Sequence, residues 1–203
     1  MEMAQPEKDS YTISVLMQGY SYEDRNGDFK ANGTCTLITG ASKILVDTGS
    51  PRDKDKIIKC LQDHDLSPSN IDYVICTHGH IDHVGNLNLF PNAKFIVGYD
   101  IMYGDSYQDH DFKNGKNFIV DNNVEVIPTP GHTHADVSVL VRNVKDYGTV
   151  VVCGDLFENE KDNNEWKSLS ENVKIQEINR EKILKIADYI IPGHGAMFKT
   201  NNR

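Results

Sequence analysis

The stretch THGHIDHVGN, residues 77–86, places three histidines and one aspartate within six positions. His78, His80, Asp82 and His83 all have side chains that bind divalent cations through imidazole nitrogens or a carboxylate oxygen. Without a metal, four ionisable groups this close together would carry a heavy desolvation cost. The spacing is too tight for one helix face and predicts a loop, in which Gly79 is expected to let the ligands converge because it lacks a side chain. The stretch predicts two cations side by side, about 3.5–4 Å apart.

Three more candidate ligands adjoin glycines where apolar runs end: His132 in PTPGHTH, Asp155 in VVVCGD and His194 in IIPGHG. His132 completes a three-histidine site with the first two histidines of the cluster. His194 completes a second site with the cluster's aspartate and last histidine, and Asp155 can bridge both sites through its two oxygens. This set leaves a coordination position for water. The predicted ligands are His78, His80, Asp82, His83, His132, Asp155 and His194.

Other ligand-type side chains are interpreted as structural. His64 and His110 stand alone, and a lone histidine is more often a hydrogen-bonded residue than a metal ligand. His134 could donate a proton to a leaving group, but a surface histidine is the preferred interpretation. Cys153 points the same way as Asp155 from an ideal strand, yet it precedes the turn and is expected to pack as a small apolar group.

Composition limits the classes of function. The 203 residues, 38% hydrophobic and 25% charged, suit one globular domain over residues 1–203 with a polar tail at 1–10. A net charge of -9 disfavours long non-specific contact with nucleic acid, and no DNA partner is expected, but the charge permits a local anionic substrate held by metal. We find no secretion signal and no apolar run near the roughly 18 residues that span a bilayer. The sequence therefore predicts a cytoplasmic protein, with the nucleus as an alternative and no membrane partner.

The elements that position the ligands follow one plan in both halves of the chain. A strand, a hairpin turning at Gly40 and a helix starting at Ser50 and Pro51 precede the cluster, and further strands and a helical stretch follow it. This order predicts a four-layer αββα sandwich of two mixed β-sheets with helices outside. Residues 99–117 lack periodicity and predict an irregular surface segment bordering a cleft. The predicted strands are 11–20, 34–39, 43–47, 73–77, 93–98, 117–120, 124–129, 136–142, 148–155 and 189–193, and the predicted helical stretches are 50–64 and 164–186.

The motif H-x-H-x-D-H in THGHIDH, followed in order by the three distant ligands, resembles the metallo-β-lactamase fold superfamily over nearly the whole chain. This resemblance implies a hydrolase with two Zn²⁺ ions, iron or manganese being the alternatives. It also implies that Asp47, in ILVDTG, supports the metal loop through hydrogen bonds. A narrower resemblance to one branch, carried by LMQGY, THGHIDHVGNLNLFPNA, DVSVL and GTVVVCGDLFE with Trp166, implies endonucleolytic processing of replication-dependent histone pre-mRNA.

Paired cations give a hydroxide at cellular pH, and we hypothesise that Asp82 orients it and relays a proton. The leading prediction is a phosphodiesterase that cleaves RNA, ahead of a hydrolase of small-molecule esters. A thioester hydrolase of the glyoxalase II type is demoted because only nine residues follow His194, too few for its helical substrate domain. A non-hydrolytic metal-binding protein and a mononuclear iron dioxygenase are weaker alternatives, since neither needs all seven ligands. A homodimer is left open.

Overall fold

A computed structural model describes residues 10–200, so nearly all of the predicted tail at 1–10 lies outside the described residues. Short 3-10 helices occur at Pro51–Asp53, Pro68–Asn70, Leu87–Leu89, Phe112–Asn114 and Glu165–Ser168, and the α-helices are α1 (Lys54–Gln62), α2 (Ile81–Val84) and α3 (Val173–Ile186). The strands are β1 (Thr12–Met17), β2 (Tyr20–Glu23), β3 (Phe29–Asn32), β4 (Cys35–Thr39), β5 (Lys43–Val46), β6 (Tyr73–Cys76), β7 (Lys94–Val97), β8 (Asp100–Tyr103), β9 (Ser106–Tyr107), β10 (Phe118–Ile119), β11 (Val124–Pro128), β12 (Val137–Val144), β13 (Gly148–Gly154), β14 (Tyr189–Pro192) and β15 (Phe198–Lys199).

These strands form two mixed sheets and a separate hairpin. The first sheet has the order β1-β4-β5-β6-β7-β8-β9, and the second has the order β10-β11-β12-β13-β14-β15. Among the described residues, strands β2 and β3 pair only with each other. The predicted hairpin at Gly40 is confirmed, because β4 and β5 pair antiparallel up to Thr39 and Lys43.

Alternation along β5 shows how the first sheet is covered on both faces. Ile44 and Val46 point into the core shared by the two sheets, whereas Leu45 points to the opposite face and packs with Ile57 and Leu61 of α1. All five side chains are fully buried. Since burying one such side chain stabilises the fold by about 1.5–3 kcal/mol, this pattern fixes which face meets the second sheet.

The second sheet repeats the arrangement. Val139 and Val141 of β12 face the core between the sheets, and Leu140 faces Ile183 of α3 on the outside. The order of layers is therefore helix, sheet, sheet, helix, which confirms the predicted αββα sandwich. Within residues 10–200 no helix is both long and apolar enough to cross a membrane.

Several segments differ from the sequence prediction. The strand predicted over 11–20 is interrupted after Met17, and the helical stretch predicted over 164–186 is a 3-10 helix at Glu165–Ser168 followed by α3 from Val173. Residues 99–117, expected to be irregular, contain β8 and β9, which extend the first sheet beyond β7. In β8 only Ile101 is fully buried, so the strand has no longer alternation for a pattern to reveal. The hairpin of β2 and β3 was also not predicted, because Tyr20, Tyr22 and Phe29 stay exposed.

Candidate metal centre

The candidate site lies where the carboxyl ends of several strands meet. β5, β6 and β7 are parallel neighbours, so the chain leaves β5 and β6 at the same edge of the first sheet. In the second sheet β11, β13 and β14 also share one direction, because β12 is antiparallel to β11 and β13 while β14 is parallel to β13. Segments after these strands bring Asp47, His78, His132, Asp155 and His194 into one space.

The first cluster consists of His78, His80, His132 and Asp155. His80 Nδ1 lies 2.9 Å from His78 Nε2 and 3.1 Å from His132 Nε2. Asp155 Oδ2 lies 3.6 Å from His78 Nε2 and 3.4 Å from His132 Nε2. One ion with ligand bonds of about 2 Å would bind these converging atoms after small side-chain shifts.

The second cluster consists of Asp82, His83 and His194. Asp82 Oδ2 lies 3.9 Å from His83 Nε2 and also 3.9 Å from His194 Nε2. Asp155 contacts this cluster too, because its Oδ1 is 3.2 Å from His83 Nε2 and its Oδ2 is 3.2 Å from His194 Nε2. One carboxylate therefore lies between both clusters, as a bridging ligand would.

Asp47 supports the metal loop from the buried side. It accepts hydrogen bonds from the main-chain N–H of Thr77 at 2.7 Å and from the Thr77 hydroxyl at 3.0 Å. Its Oδ2 lies 2.8 Å from His83 Nδ1, and Thr77 Oγ1 lies 3.1 Å from His78 Nδ1. These contacts leave the Nε2 atoms of both histidines facing the clusters, as metal-binding histidines require.

His194 is held by the junction between β3 and β4. Its Nδ1 lies 3.0 Å from the main-chain oxygen of Asn32. Thr34 donates two hydrogen bonds to the main-chain oxygen of Gly193, at 2.7 Å from its N–H and 2.9 Å from its hydroxyl. The segment between β3 and β4 therefore positions His194, which lies 162 positions after Asn32 in the sequence.

Burial and charge shift the pKa values of the ligands in opposite directions. Burial, reinforced by His83, lowers the pKa of His78 well below its ordinary value. Burial also opposes protonation of His194, but Asp155 outweighs it and raises the pKa of His194 to about 9. For Asp155 burial disfavours the charge, yet His83 and His78 beside it hold its pKa well below the usual range. Metal binding would therefore have to displace a proton from His194.

One buried acid beside the clusters was not predicted. Glu158, only 4% exposed, has Oε1 at 4.0 Å from His132 Nδ1 and Oε2 at 3.9 Å from His194 Nε2. Burial and then the charge of Asp155 raise the pKa of Glu158 to about 8. The pattern that predicted the distant ligands, an apolar run ending beside a glycine, does not include this residue.

Two further buried side chains position the ligand segments and were also missed. Asp136 accepts hydrogen bonds from the Thr133 N–H at 2.7 Å and the Thr133 hydroxyl at 2.6 Å, which fixes the turn that carries His132. Gln176 of α3 donates to the main-chain oxygen of Asp155 at 3.0 Å. Short polar residues in turns and a buried glutamine in an amphipathic helix give little signal in a single sequence.

A cleft of about 530 Å³ opens beside the first cluster. Among the described residues that line it, Lys113 is the only lysine or arginine. The predicted surface position of His134 agrees with its 89% exposed side chain, which lies 3.8 Å from Glu171. The segment 99–117 borders the cleft, as expected, through Tyr99, Asp100 and Lys113.

All seven predicted ligands lie in the two clusters, and their binding of metal stays a prediction. The ligand stretch is only partly a loop, because Asp82 and His83 lie on the one-turn helix α2. His64 and His110 instead contact main-chain oxygens of neighbouring residues. Cys153 is buried and its thiol is 3.6 Å from the Val151 oxygen, away from both clusters.

Glycine is needed at other positions than the one expected. The expected role of Gly79 is wrong, since a Cβ there would meet no atom within 4 Å. A Cβ at Gly193 would instead lie 1.9 Å from Asp155 Oδ1. At Gly154, where φ is +53°, a Cβ would lie 2.2 Å from the Thr77 hydroxyl oxygen. Close approach of the ligand segments therefore requires Gly193 and Gly154.

The donor set fits a pair of divalent cations. Within the part of the chain that the structure describes, Asp82 Oδ2, His83 Nε2 and Asp155 Oδ1 are buried without a hydrogen-bond partner, and ligation would satisfy all three. Five imidazoles and two carboxylates, with no thiolate among them, suit zinc and also suit iron or manganese.

The fold and this site define a class of protein, and the similarity to known proteins agrees with it. Residues 30–117 match the Metallo-beta-lactamase superfamily. A protein of Xenopus laevis named Metallo-beta-lactamase domain-containing protein 1 is 47% identical over 192 residues, which cover 93% of this chain and 82% of the relative. The chain therefore belongs to the metallo-β-lactamase superfamily and is a metal-dependent hydrolase of that fold.

Solved structures share the fold at low sequence identity. A putative metallo-beta-lactamase from Thermotoga maritima aligns with a TM-score of 0.71 at 20% identity, covering 93% of this chain and 99% of that one. An N-acyl homoserine lactone hydrolase aligns with a TM-score of 0.67 at 18% identity, covering 91% of this chain and 92% of that one. At this identity the likeness concerns the fold alone.

Proposed function

We propose that this hydrolase uses two zinc ions to cleave phosphodiester bonds in RNA. The observation that carries the proposal is the carboxylate of Asp155, which contacts both ligand clusters beside an open cleft. Two adjacent cations suit phosphodiester cleavage because they stabilise both the attacking and the leaving oxygen of an in-line displacement.

The side chains around the two proposed zinc sites have distinct roles. The zinc ions would supply a water of lowered pKa and would stabilise negative charge that develops on the substrate. Asp155, ionised at neutral pH because of its low pKa, keeps both oxygens available as ligands. Asp82 is half-buried and adjoins the second cluster, where its carboxylate can orient water and accept a proton. Lys113 in the cleft wall would pair with a neighbouring phosphate.

Charge narrows the substrate class within this proposal. The chain carries a net charge of -9, and one cationic side chain lines the described part of the cleft. Duplex DNA, with one negative charge per about 1.7 Å, would be repelled over most of such a surface. Long RNA would be repelled in the same way, so we propose a short single-stranded RNA segment as the substrate and expect no DNA partner.

Hydrolysis of a thioester or another small acyl ester is the second candidate. An apolar pocket of about 470 Å³ adjoins the cleft, because both are lined by Val97 and Asp100. Phe95, Met102 and Tyr107 contribute to its walls, which would suit an acyl chain better than a phosphate.

The test is a panel of substrates offered to zinc-loaded protein: single-stranded RNA, single-stranded DNA, an acyl thioester and a lactone. RNA is expected to be cleaved fastest, and His78→Ala with His80→Ala should abolish cleavage. RNA cleavage by that double variant at the wild-type rate would show contamination and remove the proposal. Faster turnover of the thioester or lactone than of RNA would replace it with the second candidate. Asp82→Asn with unchanged zinc content should lose activity, and full activity would refute the role given to Asp82.

A further inference from the structure

The buried histidines of the two clusters differ in what their Nδ1 atoms contact. The Nδ1 atoms of His78, His83 and His194 each lie within 3.1 Å of an oxygen. His132 is the exception, because its Nδ1 is buried and has no hydrogen-bond partner among residues 10–200. Oε1 of Glu158, 4.0 Å away, is also buried and has no hydrogen-bond partner in this part of the chain. Two unpartnered polar atoms of complementary chemistry therefore face each other behind the first cluster.

The main chain of Glu158 is fixed on both sides. Its N–H donates to Asp162 Oδ2 at 3.1 Å, and its carbonyl oxygen accepts from the main-chain N–H of His194 at 2.8 Å. With the main chain held in this way, movement of the two side chains would have to shorten 4.0 Å to the roughly 2.7–3.2 Å of a hydrogen bond.

We propose that Glu158 is a positioning residue for His132, accepting a hydrogen bond from its Nδ1–H while Nε2 binds the first metal ion. The carboxylate would fix the tautomer and ring orientation of His132 and increase the basicity of the ligating nitrogen. The other oxygen, near His194, would add negative charge beside the second ion. This inference depends on the metal centre and is independent of which ester bond the enzyme cleaves.

Replacement of Glu158 should change the zinc affinity and the free energy of unfolding in different ways. Burial disfavours the charged form of Glu158 in the metal-free protein, so replacing it with the isosteric, neutral glutamine should not lower its stability. The same replacement removes the charge that assists His132. A residue with a purely structural role would show the reverse, a loss of stability with unchanged metal affinity.

The experiment compares Glu158→Gln with Glu160→Gln, an exposed glutamate in the same segment. Zinc affinity is measured by chelator competition, and the stability of the metal-free proteins by urea unfolding. Glu158→Gln is expected to bind the first zinc about 10- to 100-fold more weakly, with metal-free stability unchanged or higher. Glu160→Gln should match wild type in both measurements. Wild-type zinc affinity in Glu158→Gln would overturn the proposal.

A second measurement needs no variant. In zinc-loaded wild-type protein with ¹⁵N-labelled histidine, His132 should show a proton on Nδ1 with a downfield shift typical of a carboxylate acceptor. Because Nδ1 carries the proton whenever Nε2 binds zinc, the shift is the discriminating result, and an Nδ1 proton without the downfield shift would overturn the proposal. Neither measurement uses a substrate, so failure of the RNA assay would leave both results interpretable.

Discussion

Breaking the ion pair between Arg180 of α3 and Asp162 should loosen the segment that follows β13. The guanidinium donates two hydrogen bonds of 2.8 Å to the Asp162 carboxylate and one of 2.7 Å to the Leu156 oxygen. It also lies over the rings of Phe157 and Trp166, at 4.2 Å and 4.6 Å from their centres. Arg180 thereby joins α3 to the loop on which the bridging ligand lies.

The expected magnitude follows from burial. The two side chains are 14% and 4% exposed, and removing one partner of a buried pair costs about 3–5 kcal/mol. Arg180→Met keeps an apolar stem but leaves a buried anion, so we expect a loss of about 3 kcal/mol in the free energy of unfolding. Asp162→Asn keeps an acceptor for the Glu158 N–H and should cost about 1.5–2 kcal/mol. The double variant should cost about 1–2 kcal/mol less than the sum, because neither unpaired charge remains.

Urea unfolding of the metal-free proteins, followed by far-ultraviolet circular dichroism, would measure these values. Trp166 is the only tryptophan in the chain, and its fluorescence would report release of the segment separately. Additivity of the two single changes within about 0.5 kcal/mol would refute the coupling. A cost below about 1 kcal/mol for Arg180→Met would refute the reasoning from burial.

Three other outcomes are expected. Asp47→Asn should weaken the second zinc site about 10- to 100-fold in chelator competition because Asp47 contacts His83 directly, and weakening confined to the first site would contradict the geometry. Gly193→Ala should displace Asp155 and reduce zinc bound at both sites, whereas Gly79→Ala should retain full zinc content by elemental analysis; similar losses in both variants would count against this account. The pKa of His194 is about 9 when folded against an ordinary 6.5, so its stabilisation of the metal-free protein is complete below pH 6.5 and is lost as the pH rises through 9. The slope is about 1.4 kcal/mol per pH unit for each extra proton bound by the folded state. Thermal melting should show the metal-free Tm falling between these pH values, and a rising Tm would disagree.

The sequence was sufficient to predict elements whose side chains alternate between two apolar environments. β5 and β12 are of this kind, and the predicted ligands adjoin the ends of such apolar runs. β8 was not predicted because it is a short strand in which only Ile101 is fully buried. The hairpin of β2 and β3 was not predicted because its aromatic side chains are exposed. A strand can be predicted from the sequence when its side chains are buried against a neighbouring layer, because that burial requires apolar residues in a regular pattern.

The supporting residues of the site could not be predicted for a different reason. Glu158 lies 4.0 Å from His132 only because the loop after β13 packs beside the segment after β11, and Gln176 contacts the Asp155 main chain only because α3 packs there. Neither of these contacts corresponds to a regular spacing of residues along the chain, so no sequence pattern predicts them. Asp47 was found through family resemblance, and its contacts with Thr77 and His83 depend on the pairing of β5 with β6.

The contact between Asn32 and His194, 162 positions apart, has a consequence for biosynthesis. A ribosome releases the segment containing His83 long before His194 emerges, so a nascent chain cannot yet enclose the second ion. Uptake of that ion would therefore have to follow release of His194 from the ribosome. Proteolytic loss of the segment after β14 should release the second ion, whereas the three imidazoles of the first cluster would remain.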